Sequence, residues 1–298
     1  MSTFVNNLTK PIGVVGLGLM GQSLIKRLDE AKLKVLGFDI NPTQMDAIGT
    51  ERSASLAKIA QSSDIVLLAV FNTAQVRDSL FAKDGLFNNT QNSLKIICTS
   101  TCDPNELCEI AHDARKLGHD FLELPISGTS MQLARGDCLG LIGGPQELAN
   151  SLDPILDVIT PNRQYIGDIG DASKAKLAIN LVLGLHRAAL AEGLNFGTKL
   201  GLDPEKLLKT FQKSAAASSV MGIKGPLMVA RKYDKPQSKV AQSLKDFALI
   251  NQLAEKESLM LPFSEVYIAL LKTQLDDGHG DLDNAMIYEA IYQNRLKI

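Results

Sequence analysis

The sequence predicts an α/β fold, a doubly wound sheet over the N-terminal part, followed by an all-α region joined to it through one long helix. Three observations carry this expectation. Ile12 to Gly21 reads as a buried strand running into a glycine turn and then a helix. Short apolar runs then alternate with helical periodicity to about residue 165, the pattern of strands crossing over through helices. Beyond Gly170 no strand pattern remains and long helical segments take over. The expected domains are therefore 1–168 and 169–298.

Ile12, Val14 and Val15 supply the first strand, and Gly16, Gly18 and Gly21 fall on the G-x-G-x-x-G spacing. Gln22 to Ala31 follows as a helix with Leu24, Ile25 and Leu28 on one face. The first glycine permits the turn, the second lets the backbone approach a pyrophosphate, and the third lets helix and strand pack closely. The helix N-terminus presents unpaired N–H groups and a positive dipole end to an anion, and Leu19 and Met20, inside the glycine motif, are cofactor-binding candidates with its glycines. Lys34 to Phe38 is the second strand, ending at Asp39 where the acid that binds the adenosine ribose is expected. Together these predict a Rossmann-type dinucleotide-binding domain.

Asn41-Pro42 turns into a short helix over Thr43 to Ile48, and Ser55 to Gln61 is another. Ile65 to Val70 is continuously apolar, as in a strand covered on both faces. Ala74 to Phe81 is helical, Leu94 to Cys98 a strand, and Asp103-Pro104 opens a helix to about Leu117. Asp120 to Pro125 and Leu139 to Ile142 are strands, with a helix over Pro145 to Ile159 before a last strand near Tyr165. A long helix, with Asp171 or Ser173 as its cap, runs to about Leu200 and stops at Gly201. Gly184, Gly193 and Gly197 inside it point to close packing against another helix. Further helices are expected over Asp203 to Lys213, Val220 to Arg231, Lys239 to Glu257, Pro262 to Leu275 and Leu282 to Asn294.

A chain of 298 residues that is 45% hydrophobic can fill two cores. A formal charge of −2 gives no reason to expect nucleic acid or a membrane surface as partner. The longest clear apolar run is Ile65 to Phe71, short of the ~20 residues of a membrane span. The first ten residues lack the basic-then-apolar order of a secretory signal, so a cytoplasmic location is expected. Cys98, Cys102, Cys108 and Cys138 show no C-x-x-C spacing and are read as reduced structural thiols, and the histidines form no metal-ligand spacing.

With these elements in place the chain resembles a β-hydroxyacid dehydrogenase of the 3-hydroxyisobutyrate dehydrogenase family, within the 6-phosphogluconate dehydrogenase superfamily. Gly16-Leu17-Gly18-Leu19-Met20-Gly21 matches the family's opening motif. Leu124-Pro125-Ile126-Ser127-Gly128-Thr129, then Ala134 and Gly136, resembles its substrate motif. Gly167, Gly170, Lys176 and Asn180 resemble its catalytic motif, and Lys245-Asp246 its late cofactor motif. The family commonly has Asp where this chain has Glu123, and a second glycine where it has Thr129.

The resemblance implies that Lys176 is the catalytic acid or base and that Asn180 helps to place the substrate; four residues apart, both project from one helix face. Alcohol oxidation needs a base for the hydroxyl proton while hydride leaves carbon for the nicotinamide. Ser127, Gly128 and Thr129 follow a strand at the ligand crevice of a parallel sheet and are candidates for holding a substrate carboxylate. The resemblance places Thr101 near the nicotinamide ribose and Lys245 at the cofactor; Thr101 reads equally well as the cap of the helix after it. Asp39 favours NAD over NADP, because a carboxylate accepts from ribose hydroxyls and repels a 2′-phosphate. Ile40 and Asn41 supply no arginine there, and Arg52 is a candidate phosphate partner with no motif around it.

The expected function is thus an NAD-dependent dehydrogenase or reductase of a small carboxylate-bearing β-hydroxy acid or its semialdehyde, with no metal, as a homodimer or homotetramer. Two alternatives remain: an imine reductase-like NADPH enzyme, although such relatives generally lack the lysine, and a non-catalytic nucleotide-dependent binding protein.

Overall fold

The computed structural model describes residues 9–295, and the chain divides into two compact units between Lys176 and Leu177. Most of the N-terminal stretch read for a secretory signal, residues 1–8, lies outside the described residues.

In the first unit β1 (Ile12–Val15), α1 (Leu19–Glu30), β2 (Val35–Phe38), α2 (Pro42–Ala47), α3 (Leu56–Ser62) and β3 (Ile65–Leu68) come first. There follow α4 (Thr73–Phe81), β4 (Lys95–Cys98), α5 (Pro104–Lys116) and β5 (Asp120–Glu123). The unit continues with β6 (Ile126–Ser127), α6 (Ser130–Arg135), β7 (Leu139–Gly143), α7 (Gln146–Ile159) and β8 (Arg163–Gly167), before the start of α8 (Asp171–Lys199). Strands β2, β1, β3, β4 and β5 lie in that order and run parallel, β7 joins antiparallel to β5, and β8 pairs parallel with β7. The strand order reverses between β1 and β3, so the ligand crevice of such a sheet opens beyond their carboxyl ends.

The sheet carries a core on each face. Val14, Leu67, Ile97 and Leu122 pack with Leu24, Leu28, Leu152 and Leu156. The alternate residues Val66, Leu68, Ile96 and Cys98 pack with Ile59, Val76, Leu107 and Ile110. This double covering is why the strands read as continuous apolar runs.

One stretch differs from expectation. The strand expected over Asp120 to Pro125 ends at Glu123, yet its pairing partner continues: Glu123 faces Gly143, Ile126 faces Gly140 and Ser127 faces Leu139. The register is constant, so β6 extends β5 along β7 with Leu124 and Pro125 between them. Helix α6, also absent from the sequence expectation, starts at a capping box of Thr129 with Gln132 and stops at Gly136, whose φ is 78°.

The second unit is helical: the rest of α8, then α9 (Pro204–Lys213), α10 (Ser219–Ala230), α11 (Val240–Lys256), α12 (Pro262–Asp276) and α13 (Ile287–Tyr292), the last preceded by a 3₁₀ turn over Asn284–Met286. Helix α8 has 29 residues and so is about 44 Å long. By length and hydropathy alone it is long and apolar enough to cross a membrane, which corrects the sequence expectation that no segment is. Arg187 and Glu192 interrupt its apolar runs without lowering the mean below that of a span. The buried Arg187 donates from Nε to the Tyr267 hydroxyl at 2.8 Å, so that face of α8 packs inside the unit.

A buried ion pair ties distant segments of this unit together. Lys224 Nζ lies 2.8 Å from both carboxylate oxygens of Asp283, which also accept the N–H groups of Gln237 and Ala285. Burial pushes the Lys224 amine down to about 8 despite the carboxylate beside it.

The glycines of α8 divide by their surroundings. A Cβ at Gly184 would lie 2.2 Å from Phe247 Cζ and 2.9 Å from Tyr267 Cε1, and one at Gly197 would lie 2.4 Å from Leu207 Cδ2. At Gly193 the nearest atom, on Phe211, stands at an ordinary 3.4 Å. Gly184→Ala gains roughly 1 kcal/mol in helix propensity but drives a methyl into two buried rings, an overpacking of about 3 kcal/mol. Chemical denaturation of the full chain is expected to show a net loss of about 2 kcal/mol; equal or greater stability would mean that the rings yield freely.

Candidate active site

The turn after β1 is built as a phosphate cradle requires. A Cβ at Gly16, whose φ is 90°, would lie 2.5 Å from the Ala69 carbonyl oxygen. Gly21 is more constrained, since its Cβ would come 1.9 Å from the Gly16 carbonyl oxygen. Only glycine lets α1 press against its own turn. At Gly18 a Cβ would meet no atom within 4 Å, so the backbone there is open to close approach by a ligand. Gly18 also begins α1 with no side-chain cap, and Leu19 and Met20 are the first helical residues. The first-turn N–H groups therefore fit a dinucleotide pyrophosphate.

Asp39 closes the turn from the end of β2. Its Oδ2 accepts the Leu17 N–H at 2.7 Å and its Oδ1 the Asn41 N–H at 2.8 Å. Each oxygen retains a lone pair for a ribose hydroxyl. Arg52 sits elsewhere in the network, its guanidinium 2.8 Å from Asp29, which holds it above its ordinary value. Thr101 is half-buried in the segment after β4 and does not cap the next helix, because Asp103 accepts the Asn105 and Glu106 N–H groups at the start of α5.

Ser127 ends β6, half-buried, and Gly128 follows with a φ of 153°; a Cβ there would lie 2.9 Å from Cys138 Cβ. Thr129 is committed to the helix after it. Its N–H donates to Gln132 Oε1 at 2.9 Å and its hydroxyl oxygen accepts the Gln132 N–H at 3.2 Å. Of the three residues expected to hold a carboxylate, Thr129 is thus a capping residue with only its hydroxyl proton left to give, while the Ser127 hydroxyl and the Gly128 backbone carry no such duty.

Lys176 lies in the second turn of α8 and is 8% exposed. Burial pushes the Cys138 thiol up, and the positive charges of Arg27 and Lys176 oppose that rise. The start of α8 is fastened by a residue absent from the sequence-based site. Glu123 is fully buried, and it accepts the Gly170 N–H on Oε1 and both the Ser173 N–H, at 2.9 Å, and the Ser173 hydroxyl, at 2.6 Å, on Oε2. Ser173 therefore does not cap α8 as expected; its hydroxyl points back to the sheet. Asp171 accepts the Asp168 N–H instead. All four cysteines are free; Cys98, Cys102 and Cys138 are buried, and the exposed Cys108 donates to the Ile169 carbonyl.

In the second unit Asn180 donates from Nδ2 to Asp246 Oδ2 at 2.9 Å, and Lys245 Nζ lies 2.8 Å from Asp246 Oδ1. Asp246, only 7% exposed, joins two residues that the sequence singled out separately. By receiving one amide proton it fixes the orientation of Asn180, leaving the other N–H and the carbonyl oxygen for a ligand. The Lys245-Asp246 dipeptide was the signal for this, but the sequence did not show that the aspartate partners Asn180.

Comparison with known proteins decides the lineage. The model for the NAD binding domain of 6-phosphogluconate dehydrogenase matches residues 11–167, and that for the NAD-binding region of NADP-dependent 3-hydroxyisobutyrate dehydrogenase matches residues 170–291. The chain belongs to the β-hydroxyacid dehydrogenase family. Among its relatives, 2-hydroxy-3-oxopropionate reductase of Escherichia coli is 26% identical over 94% of this chain and 96% of its own. L-threonate dehydrogenase of Cupriavidus necator is 27% identical over 94% and 95%. The crystal structure of 3-hydroxyisobutyrate dehydrogenase from Salmonella typhimurium superimposes with a TM-score of 0.85 at 26% identity, covering 94% of this chain and 99% of that one. The chain is accordingly an NAD(P)-binding oxidoreductase of the hydroxy acid and semialdehyde type. Gly21→Ala, which places a methyl against the Gly16 carbonyl, is expected to weaken NADH binding more than about tenfold, read by fluorescence titration of folded protein; an unchanged affinity would remove the cradle assignment.

Proposed function

We propose that this protein interconverts a small β-hydroxy acid and its semialdehyde or ketone, with NAD as the preferred cofactor and Lys176 as the acid–base residue. The observation that carries the reading is Lys176 itself, 8% exposed in the second turn of α8 and three residues after the Ser173 that Glu123 holds. When bound, the nicotinamide supplies the hydride acceptor or donor. Lys176 takes the hydroxyl proton in oxidation and returns a proton to the developing alkoxide in reduction. The Ser127 hydroxyl and the Gly128 N–H hold the carboxylate, and Asn180, oriented by Asp246, holds the reacting oxygen. Thr101 and Lys245 line the cofactor. The Asp39 carboxylate supports NAD, since a 2′-phosphate would meet its negative charge, and Arg52 is already engaged by Asp29.

The test is reduction of NAD and NADP with three- to six-carbon β-hydroxy acids, run beside Lys176→Ala. One acid is expected to turn over, faster with NAD, and the variant to bind NADH normally while losing about 10²–10⁴-fold in kcat. A variant as active as the parent overturns the role of Lys176. A clear preference for NADP overturns the reading of Asp39. Turnover of cyclic imines with NADPH, and of no hydroxy acid, would move the protein to the imine reductases.

The assembly proposed is a homo-oligomer built on α8. Val182 and Phe196 are 51% and 68% exposed, and the exposed Ala189 lies seven residues from each, so the three form one apolar stripe. Sedimentation is expected to give a dimer or tetramer that Val182→Glu with Phe196→Glu dissociates; a monomeric parent protein would overturn this.

A further inference from the structure

Glu123 stands at the carboxyl end of β5 with no solvent exposure, yet it is a carboxylate. Its three donors all come from the beginning of α8: the Gly170 N–H, the Ser173 N–H and the Ser173 hydroxyl. Each oxygen is spoken for, and the donors lie 47 and 50 residues away along the chain. The packing around the carboxylate is equally committed. Gly143 faces Glu123 across the strand pair, and a Cβ there would lie 3.0 Å from Glu123 Oε1 and 3.0 Å from Ala172 Cβ. Carboxylate, strand and first helical turn are therefore locked at one point.

Ser173 precedes Lys176 by three residues, so the clamped side chain and the amine lie on neighbouring positions of one helix face. A shift in the axis or rotation of that first turn moves Lys176 with it. The clamp also has an electrostatic side. The N-terminal turn of a helix carries partial positive charge and disfavours a cation, and a buried carboxylate there offsets both the dipole and the amine.

We infer that Glu123, through Gly170 and Ser173, is a positioning residue that sets where Lys176 stands for proton transfer. The inference rests on the reading of Lys176 as the acid–base residue. Glu123 itself touches the helix start and not the reacting atoms, so its removal acts on the chemical step through Lys176. Glu123→Gln keeps the side-chain shape but turns one acceptor into a donor aimed at an N–H group. Ser173→Ala removes one hydroxyl and leaves both backbone contacts.

The experiment measures the single-turnover rate and NADH affinity of the full-length enzyme for Glu123→Gln, Ser173→Ala, Lys176→Ala and the double variants of each with Lys176→Ala. Misplacing a reacting group costs roughly 10- to 100-fold, so Glu123→Gln is expected to lose that much in rate with NADH affinity unchanged, and Ser173→Ala less. On the Lys176→Ala background both changes are expected to cost nothing more, because the group they position is gone. If either change lowers the rate by the same factor with and without Lys176, it does not act through the lysine and the inference falls. If Glu123→Gln fails to fold, Ser173→Ala decides alone, full parental rate being the overturning result. Should Lys176→Ala itself turn over at the parental rate, the acid–base reading fails first, an outcome distinct from additivity of the two changes.

Discussion

A parallel sheet crossed by helices delivers helix N-termini to the carboxyl ends of its strands, and every such terminus brings N–H groups that must find acceptors. The first unit resolves this demand in two opposite ways. Helix α1 begins at Gly18 with no side-chain cap and with its turn pressed in by Gly21, so its donors suit an anionic ligand. Helix α8 begins on the Glu123 carboxylate, which takes its donors internally. A diphosphate fits the first start. The second start needs no such ligand, because Glu123 has already taken its donors, and Lys176 stands one turn further along the same helix.

The fold was legible because its strongest constraints are local. Continuous apolar runs such as Ile65 to Leu68 follow from a sheet covered on both faces, and the glycine spacing follows from contacts inside one strand–turn–helix unit. Helix α6 has a local signal too, the Thr129-x-x-Gln132 capping box, which overlaps the stretch that resembles a substrate motif. Thr129 serves that cap with its N–H and its hydroxyl oxygen, which leaves its hydroxyl proton for a ligand. The Glu123 clamp and the Asn180–Asp246 pair are different in kind. They join positions 47 to 66 residues apart, and nothing in the spacing of Glu123 and Ser173 announces a bond. Glu123 drew notice only as a departure from the family's usual aspartate.

That departure makes sense once the contacts are seen. Glutamate is one methylene longer than aspartate, and here its far end reaches both the backbone and the hydroxyl of Ser173. The extra length is accommodated because Gly143 presents no side chain opposite it. Glu123, Gly143 and Ser173 thus form one unit of packing and hydrogen bonding, distributed over β5, β7 and α8.

Energetics argue that the clamp is not there for stability alone. Three hydrogen bonds to a charged acceptor, each worth about 1.5–3 kcal/mol, oppose a desolvation cost of several kcal/mol for burying the charge. The outcome is recorded in the carboxyl group itself: burial pushes Glu123 above its ordinary value even though the Ser173 hydroxyl and two N–H groups pull it down. The shift runs in the direction burial dictates, so this carboxyl ionises less readily in the folded chain than in water. A neutral, well-packed residue would carry no such desolvation cost, provided the helix start found other acceptors. What a hydrocarbon could not supply is direction: three donors converging on two oxygens fix the rotation of a helix turn as apolar contacts cannot. A protein that places a buried amine one turn further along the same helix has a use for that direction.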